Sequence, residues 1–220
     1  LLPYRAQRAE PYIYNDDEIK RLLQAAGQLC SPTGLRALTY VSVFGLLAVT
    51  GMRISELVTL DNEDVDLVSG QLTIRDTKFG KSRLLPVHAT TQKQLRAYAR
   101  LRDRLCPRPK TPAFFVSERG TRLTDCTVRR WFVIVSRRIG LRAPADRRGP
   151  RIHDLRHRFA HRVLLNWYRQ GLDVEALLPT LTTYLGHGHI ADTYWYITAS
   201  PELLTLATQR LERPKRGRFA

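Results

Sequence analysis

The spacing of apolar positions predicts helices along most of this chain. Behind a capping-box spacing that begins at Asn15, apolar residues recur every three or four positions, which predicts a helix over about 16–29. Residues 35–49 are apolar on nearly every side, so we expect a second helix that is buried in the core. The helical pattern then breaks at 50–53, and a short new helical turn starts at Ile54.

Two short segments instead alternate apolar and polar residues, which is the period of a strand. Residues 71–75 and 83–87 flank a glycine-centred turn, and together they predict a β-hairpin. Lys78 and Lys81 lie at or near its tip. A third strand is expected at 113–117. The pattern as a whole predicts a mainly helical, α+β domain with a small three-stranded antiparallel sheet.

Helical spacing returns after the hairpin and continues almost to the end of the chain. Thr124 and Ser200 each stand where a helix N-cap is expected, and Gly140 stands where a helix should stop. Pro179 should divide one helix into two pieces. The predicted helices cover 91–105, with arginines on its outer face, then 124–139, 152–168, 173–178, 180–185 and 200–211.

Length and charge narrow the class of partner. The 220 residues, 43% of them hydrophobic, can bury one substantial core. The formal net charge is +16 and the pI is near 10.5. Self-repulsion of this size favours an anionic partner: nucleic acid first, then a membrane surface, then a ribosomal or chromatin-like assembly. The longest apolar run, 41–49, is too short to span a bilayer, so we expect no membrane partner.

The cysteines indicate the compartment. Cys30, Cys106 and Cys126 are odd in number, widely spaced and without a CxxC pair. This usage favours a reducing compartment and argues against a disulfide frame. We therefore expect a cytoplasmic protein.

The two ends of the chain differ in composition from its middle. Residues 1–14 contain two prolines and no apolar period, which is typical of a linker. Residues 214–220 are interpreted as a basic flexible tail, and 15–213 as one domain. Because the chain begins with Leu1, we expect it to be a fragment of a longer protein.

The densest charge in the sequence surrounds one predicted helix. Between 137 and 162 there are nine arginines and two acids. His153 and Arg156, three residues apart, share one face of that helix. Further along, Tyr194 and Tyr196 follow a glycine-containing turn. An imidazole, a guanidinium and a phenol in one place suit attack by tyrosine on a phosphate-like group.

A metal site is a competing interpretation of the histidines. His153, His157 and His161 are spaced by four, and His187 and His189 are close in sequence. Histidines at a spacing of four can bind zinc. The sequence has no HExxH motif or cysteine pair to complete such a site, and the neighbouring arginines would repel a cation. We therefore expect no metal and no other cofactor.

Five short motifs follow one another in order. They are TGMRISEL at 50–57, the hairpin lysine, HDLRH at 153–157, LGH at 185–187, and a tyrosine nine residues beyond His187. In this order they resemble the tyrosine recombinase (phage integrase) family, and the resemblance runs from about 16 to 213. It implies the helical C-terminal catalytic domain of that family, without the N-terminal DNA-binding domain that its members usually carry.

The resemblance implies a role for each matching residue. A site without metal must neutralise the oxygens of a phosphate under attack with fixed donors. The implied catalytic residues are Arg53, Lys78, His153, Arg156, His187 and Tyr196, supported by Glu56 and His157. We expect further DNA contacts from Lys81, Arg83, Arg147, Arg148 and Arg151.

Two of these assignments have a rival. Lys78 is favoured as the general acid for the leaving 5′ oxygen, and Lys81, three residues away, is equally basic. The spacing from His187 selects Tyr196 as the nucleophile. Tyr194 would point about 200° away around the helix.

The implied function is site-specific DNA recombination or integration. Strands are cut through a 3′-phosphotyrosyl intermediate and rejoined without ATP or metal. The expected partners are double-stranded DNA and further copies of the chain, as a tetramer on DNA and a monomer when free. The expected setting is the bacterial or phage-derived nucleoid. The alternatives are a type IB topoisomerase and a DNA-binding protein without catalysis.

Overall fold

The computed structural model describes residues 11–75, 82–143, 145–146 and 149–212. Within these ranges the chain forms a mainly helical α+β domain with a three-stranded antiparallel sheet, so the predicted fold class is confirmed. The helices are α1 (Asp16–Gly27), α2 (Leu35–Thr50), α3 (Ile54–Thr59), α4 (Ala89–Leu105), α5 (Asp125–Arg138), α6 (Asp154–Arg169), α7 (Val174–Leu185), α8 (Ala191–Thr198) and α9 (Pro201–Glu212). The strands are β1 (Val65–Asp66), β2 (Gln71–Ile74) and β3 (Arg83–Pro86).

Helix α2 lies at the centre of the domain because apolar residues cover nearly all of its sides. It contacts α1, α4 and α6, and Val43, Phe44 and Leu47 are all buried. The ring of Phe44 meets that of Phe132 edge to face, with ring centroids 5.7 Å apart. Burial of one such side chain stabilises the fold by about 1.5–3 kcal/mol. Helix α2 therefore fixes the positions of the helices around it.

Two apolar clusters meet along α6. Ile152 and Leu155, at or just before its start, pack with residues of α1, α2 and α5. Ala160 and Leu164, further along, pack with residues of α7, α8 and α9. The start of α6 therefore lies at the boundary between the two clusters.

The sheet differs from the prediction in its third strand. Strand β2 pairs with β1 on one side and with β3 on the other. The prediction of a strand at 113–117 is wrong, because Ala113 and Val116 make only isolated bridges. This run is apolar because it packs against α4, where the ring centroid of Phe115 lies 5.0 Å from that of Tyr98. Strand β1, with two residues, is too short to show an alternating pattern in the sequence.

One prediction about a helix is also wrong. Helix α7 runs unbroken through Pro179, because packing of the buried Leu178 and Leu181 outweighs the loss of one backbone hydrogen bond. On α4, Arg96, Arg100 and Arg104 are exposed, as the prediction of an outer arginine face requires, while Arg102 is buried. Its guanidinium donates a hydrogen bond to the carbonyl oxygen of Phe114 at 2.6 Å.

The N-terminal segment is partly integrated into the domain. Tyr14, assigned to the linker by its sequence, is buried in the core, and its hydroxyl donates to the carbonyl oxygen of Arg151 at 3.0 Å. The domain therefore includes Tyr14. Residues 1–10 and 213–220, which hold the rest of the predicted linker and the predicted tail, lie outside the described residues.

The last helix packs on its own domain. The hydroxyl of Ser200 accepts a hydrogen bond from the backbone N–H of Leu203 at 3.3 Å, which confirms the predicted cap. Leu203 is fully buried between α6 and α8. Among the described residues, no helix is long and apolar enough to cross a membrane.

Candidate active site

Arg53 is positioned by the glycine turn at the end of α2. Gly51 has a left-handed conformation, with φ +62°, and a Cβ atom at that position would lie 2.6 Å from the ring of Phe159. The turn leaves Arg53 at the N-cap of α3. Its Nη1 donates to Oε1 of Glu56 and its Nη2 to the carbonyl oxygen of Gly186, each at 2.8 Å.

Arg156 projects from the first turn of α6 into the same region and is only 2% exposed. Its Nη1 donates to the carbonyl oxygen of Gly51 at 2.8 Å and its Nη2 to that of Leu185 at 2.7 Å. These carbonyls end α2 and α7, where the helix dipole is negative. Burial lowers the pKa of Arg156 to about 10, so it stays charged at neutral pH.

Glu56 joins Arg53 to a second arginine. Its two carboxylate oxygens accept hydrogen bonds from Arg53 and, in bidentate geometry, from Arg83 at 2.9 and 3.1 Å. Burial alone would raise the pKa of Glu56, but the hydrogen bonds from the two arginines hold it below its usual range. The expected pairing of Glu56 with the basic cluster is therefore present.

Arg83 makes contacts within the protein, although the sequence predicted that it contacts DNA. Besides its contact with Glu56, its Nε donates to the carbonyl oxygen of Tyr184 at 3.0 Å, and its side chain is only 9% exposed. The prediction that Arg83 contacts DNA is corrected, because all three guanidinium nitrogens already have protein acceptors.

Tyr196 lies on α8 with its ring buried and its hydroxyl turned toward α6. The side chain is 5% exposed, and the hydroxyl oxygen lies 3.3 Å from Nδ1 of His157. Burial raises the pKa of Tyr196, while the positive charge of Arg156 acts in the opposite direction. Tyr194, by contrast, is 41% exposed, as its position on the other side of the helix predicts.

Two imidazoles, those of His157 and His187, lie beside the phenol, and His153 packs against His157. The ring of His187 lies nearly parallel to that of Tyr196, with centroids 6.1 Å apart, and the ring of His157 meets that of His153 edge to face at 4.9 Å. Loss of solvent, followed by the charge of Arg156, lowers the pKa of His187 to about 3 and that of His153 to about 4. His153 keeps this low pKa although it remains exposed at the start of α6. All of these rings are neutral at physiological pH.

Thr193 completes the site and was not singled out by the sequence analysis. It is fully buried on α8, and its Oγ1 lies 2.8 Å from Nδ1 of His187. Thr182 on α7 contacts the same oxygen at 2.9 Å. The one signal in the sequence is that Thr193 precedes Tyr196 by three residues and so shares its helix face.

This arrangement brings two guanidiniums, neutral imidazoles and one phenol together at the ends of four helices. The sequence around these residues also matches a known family. The family model described as the phage integrase family matches residues 13–202. This chain belongs to the phage integrase family.

Relatives in the family agree with this assignment. The chain is 50% identical over 97% of its length to a putative integrase/recombinase, y4rB, of Sinorhizobium fredii, of which it covers 69%. It is 29% identical over 96% of its length to the tyrosine recombinase XerA of Thermococcus kodakarensis, of which it covers 66%. The chain thus spans about two thirds of the length of these relatives.

Solved structures of the family share the fold. A crystal structure of a XerA recombinase superposes with a TM-score of 0.70 at 27% identity, covering 93% of this chain and 67% of that one. A XerH site-specific recombinase bound to its difH substrate, at 22% identity, has a TM-score of 0.66 and covers 93% of this chain and 54% of that one.

Several predicted residues of the family motif lie outside this geometry. Lys78, Lys81, Arg147 and Arg148 are outside the described residues, so their roles stay predictions. Arg151 pairs with Asp154 at 2.9 Å, and its side chain remains 58% exposed. It keeps its predicted role as a DNA contact.

The spaced histidines of α6 turn to different partners. His157 contacts the Tyr196 hydroxyl, while Nε2 of His161 lies 3.0 Å from the hydroxyl of Ser200. Within the described ranges, no group of three or more histidine, cysteine, aspartate or glutamate side chains is arranged to hold a metal ion.

Proposed function

We propose that this chain is the catalytic domain of a site-specific DNA recombinase that cuts and rejoins strands through tyrosine. The observation that carries the proposal is the meeting of Arg53 and Arg156 on adjacent carbonyls, those of Gly186 and Leu185, beside the buried hydroxyl of Tyr196. The two guanidiniums come from different helices and are held by fixed protein acceptors. Such preorganised donors are what an anionic transition state requires.

In the proposed reaction the Tyr196 oxygen attacks the phosphorus of a DNA phosphodiester. A bond forms from the phenol oxygen to phosphorus, the bond from phosphorus to the 5′ oxygen breaks, and a 3′-phosphotyrosyl link remains. A 5′ hydroxyl from a partner strand then attacks the phosphotyrosine and releases Tyr196. One phosphoester replaces another in each step, so no external energy source is needed.

The charges of the site suit this transition state. Arg53 and Arg156 would each offer a guanidinium to the nonbridging oxygens, and one such donor is worth about 2.7–4 kcal/mol in a site from which water is excluded. His187 is fixed through Nδ1 by Thr193, which leaves Nε2 to meet a phosphate oxygen. A planar guanidinium can hold two oxygens at once, which lysine cannot do.

Proton transfer would begin at His157. Its Nδ1 lies within reach of the Tyr196 hydroxyl, and burial lowers its pKa to about 4, so the ring is neutral and able to accept a proton before DNA binds. A dianionic phosphorane nearby would raise that pKa and make His157 a better acceptor. Lys78 remains the residue proposed to protonate the leaving 5′ oxygen.

The proposed partners are duplex DNA and further copies of the chain. Similar folds include a XerH recombinase bound to difH and a lambda integrase tetramer bound to a Holliday junction. The formal charge of +16 supports binding to a polyanion. We propose a tetramer on DNA, acting in the cytoplasm on the nucleoid.

An exchange assay tests the proposed function. Two duplexes of different length, each carrying the DNA that flanks the gene for this chain, are incubated with the full-length protein. Hybrid duplexes should form with wild type and not with Tyr196→Phe. Relaxation of supercoiled DNA without hybrid products would instead favour a type IB topoisomerase, and binding without either reaction would favour a non-catalytic DNA-binding protein.

A further inference from the structure

Three arginines bind three consecutive carbonyls where α7 ends, those of Tyr184, Leu185 and the C-cap Gly186. Arg83 donates to the carbonyl oxygen of Tyr184 at 3.0 Å, Arg156 to the next carbonyl at 2.7 Å and Arg53 to the one after it at 2.8 Å. The last carbonyls of a helix have no partner within the helix. Strand β3, helix α6 and the N-cap of α3 are thereby tied to one helix end, and the turn that follows it carries His187.

Arg83 is more buried than Arg53, and all three of its guanidinium nitrogens have protein acceptors. Its side chain is 9% exposed, against 27% for Arg53, while Arg156 is 2% exposed. Arg53 and Arg156 have the family positions for phosphate contact. Arg83 has no such position.

We propose that Arg83 is a positioning residue that sets the net charge around Arg53, the orientation of Arg53 and the place of the α7–α8 turn. This inference rests on the proposed function, because Arg53 is taken to hold the phosphate. Arg83 itself acts through Glu56 and through the end of α7.

The first effect of Arg83 is electrostatic. Glu56 carries one negative charge and contacts Arg53 and Arg83, which carry one positive charge each, so the group has a net charge of −1 + 2 = +1. Without Arg83 the net charge would be −1 + 1 = 0. A nearly buried carboxylate would then cancel Arg53 at the point where an anionic phosphate must be bound.

The second effect is steric. Gly186 has φ +68°, and a Cβ atom there would lie 2.6 Å from Nη1 and 2.8 Å from Cζ of Arg83. The guanidinium therefore fills the space that a side chain at 186 would occupy. Because His187 follows directly, the position of the Arg83 side chain determines the path of the turn that presents His187.

The third effect concerns the sheet. Arg83 is the first residue of β3 and is paired with Ile74, the last residue of β2. The lysine-bearing segment lies between these two strands in sequence. Arg83 thus connects the end of this sheet to Arg53, through Glu56, and to the turn before His187, through the Tyr184 carbonyl. Three parts of the family motif are therefore in contact with, or next to, this one side chain.

The test compares Arg83→Met with a matched control. Arg102→Met removes another arginine whose side chain is 9% exposed and which is packed on α4, where it contacts Asn62 and the Phe114 carbonyl. The measurements are single-turnover cleavage of a nicked duplex carrying the DNA that flanks the gene, DNA affinity, and the folded fraction by circular dichroism, all on the full-length protein.

We expect Arg83→Met to lose about 100-fold in cleavage rate per folded molecule, the cost of misplacing a catalytic group by about 1 Å, with affinity nearly unchanged. Arg102→Met should cleave at the wild-type rate per folded molecule. Arg83→Lys should fall between wild type and Arg83→Met, because it keeps the charge and loses the bidentate contact.

A second substitution separates positioning from simple stability. In the Arg83→Met protein, Glu56→Gln removes the carboxylate that cancels Arg53, so part of the lost cleavage should return. No gain from Glu56→Gln, or a cleavage loss for Arg83→Met no greater than that of Arg102→Met, would overturn the inference while wild type still forms its adduct. No adduct from wild type would overturn the proposed function and this inference with it.

Discussion

The phenol oxygen of Tyr196 lies 3.3 Å from Nδ1 of His157, so α8 and α6 are joined at the point where the proposed reaction begins. Burial raises the pKa of Tyr196 and lowers that of His157 to about 4. Both groups are therefore neutral at physiological pH. We propose that Tyr196 stays a phenol until a phosphate enters between Arg53 and Arg156.

The neutral histidines predict how stability depends on pH. The pKa of His157 falls from its ordinary 6.5 to about 4 in the folded protein, so the unfolded chain binds protons first as the pH drops. The free energy of unfolding should be unaffected by His157 above pH 6.5 and should fall by about 3 kcal/mol on going down to pH 4. Urea unfolding at a series of pH values measures this. The curve for His157→Gln should be flatter over the same range. An equal slope in both proteins would contradict a low pKa for His157 in the folded protein.

Arg156 should be more important for cleavage than for DNA affinity. Arg156→Lys keeps the positive charge but cannot reach both the Gly51 and Leu185 carbonyls and a phosphate. We expect cleavage of a nicked duplex to fall by about 100- to 1,000-fold, with a small change in affinity by gel shift. A parallel loss of affinity would make Arg156 a DNA-backbone contact and not a stabiliser of the transition state.

Glycine should be required at position 186 for two reasons: its positive φ, and the lack of a Cβ atom next to the Arg83 guanidinium. Gly186→Ala would force its Cβ into the Arg83 guanidinium, whereas Gly140→Ala has a similar positive φ, +75°, and nothing within 4 Å. The control should lose about 1–2 kcal/mol of stability from the backbone alone. Gly186→Ala should lose more and should also slow cleavage per folded molecule. Equal effects in thermal melts and cleavage would show that the close contact is unimportant.

DNA binding should weaken steeply with salt. Each phosphate neutralised contributes a slope of about 0.9 in a plot of log affinity against log salt concentration. Arg151→Gln should reduce that slope by about 1, because Arg151 is exposed next to His153. Arg169→Gln, at the other end of α6 and paired with Glu202 at 3.1 Å, is the matched control and should leave the slope unchanged. Fluorescence anisotropy at four or more salt concentrations measures both.

Short motifs predicted much of this arrangement. The resemblance of these motifs to the family identified Arg53, Arg156 and Tyr196, and the fold brings them together because glycine turns end α2 and α7 beside the start of α6. The helix patterns were clear where one face is buried, as in α1 and α5. These signals are local, and each can be read within a few residues of sequence.

The rest depended on contacts between distant segments. The apolar run at 113–117 resembles a strand, yet it is buried by α4. In sequence, Arg83 looks like a basic residue that contacts DNA. In the structure it pairs with Glu56, 27 residues earlier, and with Tyr184, 101 residues later. Pro179 is tolerated only because its neighbours are buried in the second cluster. No local pattern carries that information.

Mapping the covalent adduct tests the central claim most directly. The full-length protein is incubated with a nicked duplex carrying the DNA that flanks its gene, the complex is digested with protease, and the DNA-linked peptide is sequenced by mass spectrometry. We predict a phosphotyrosyl bond at Tyr196, its absence in Tyr196→Phe and its persistence in Tyr194→Phe. An adduct at any other residue, or one that survives in Tyr196→Phe, would contradict it.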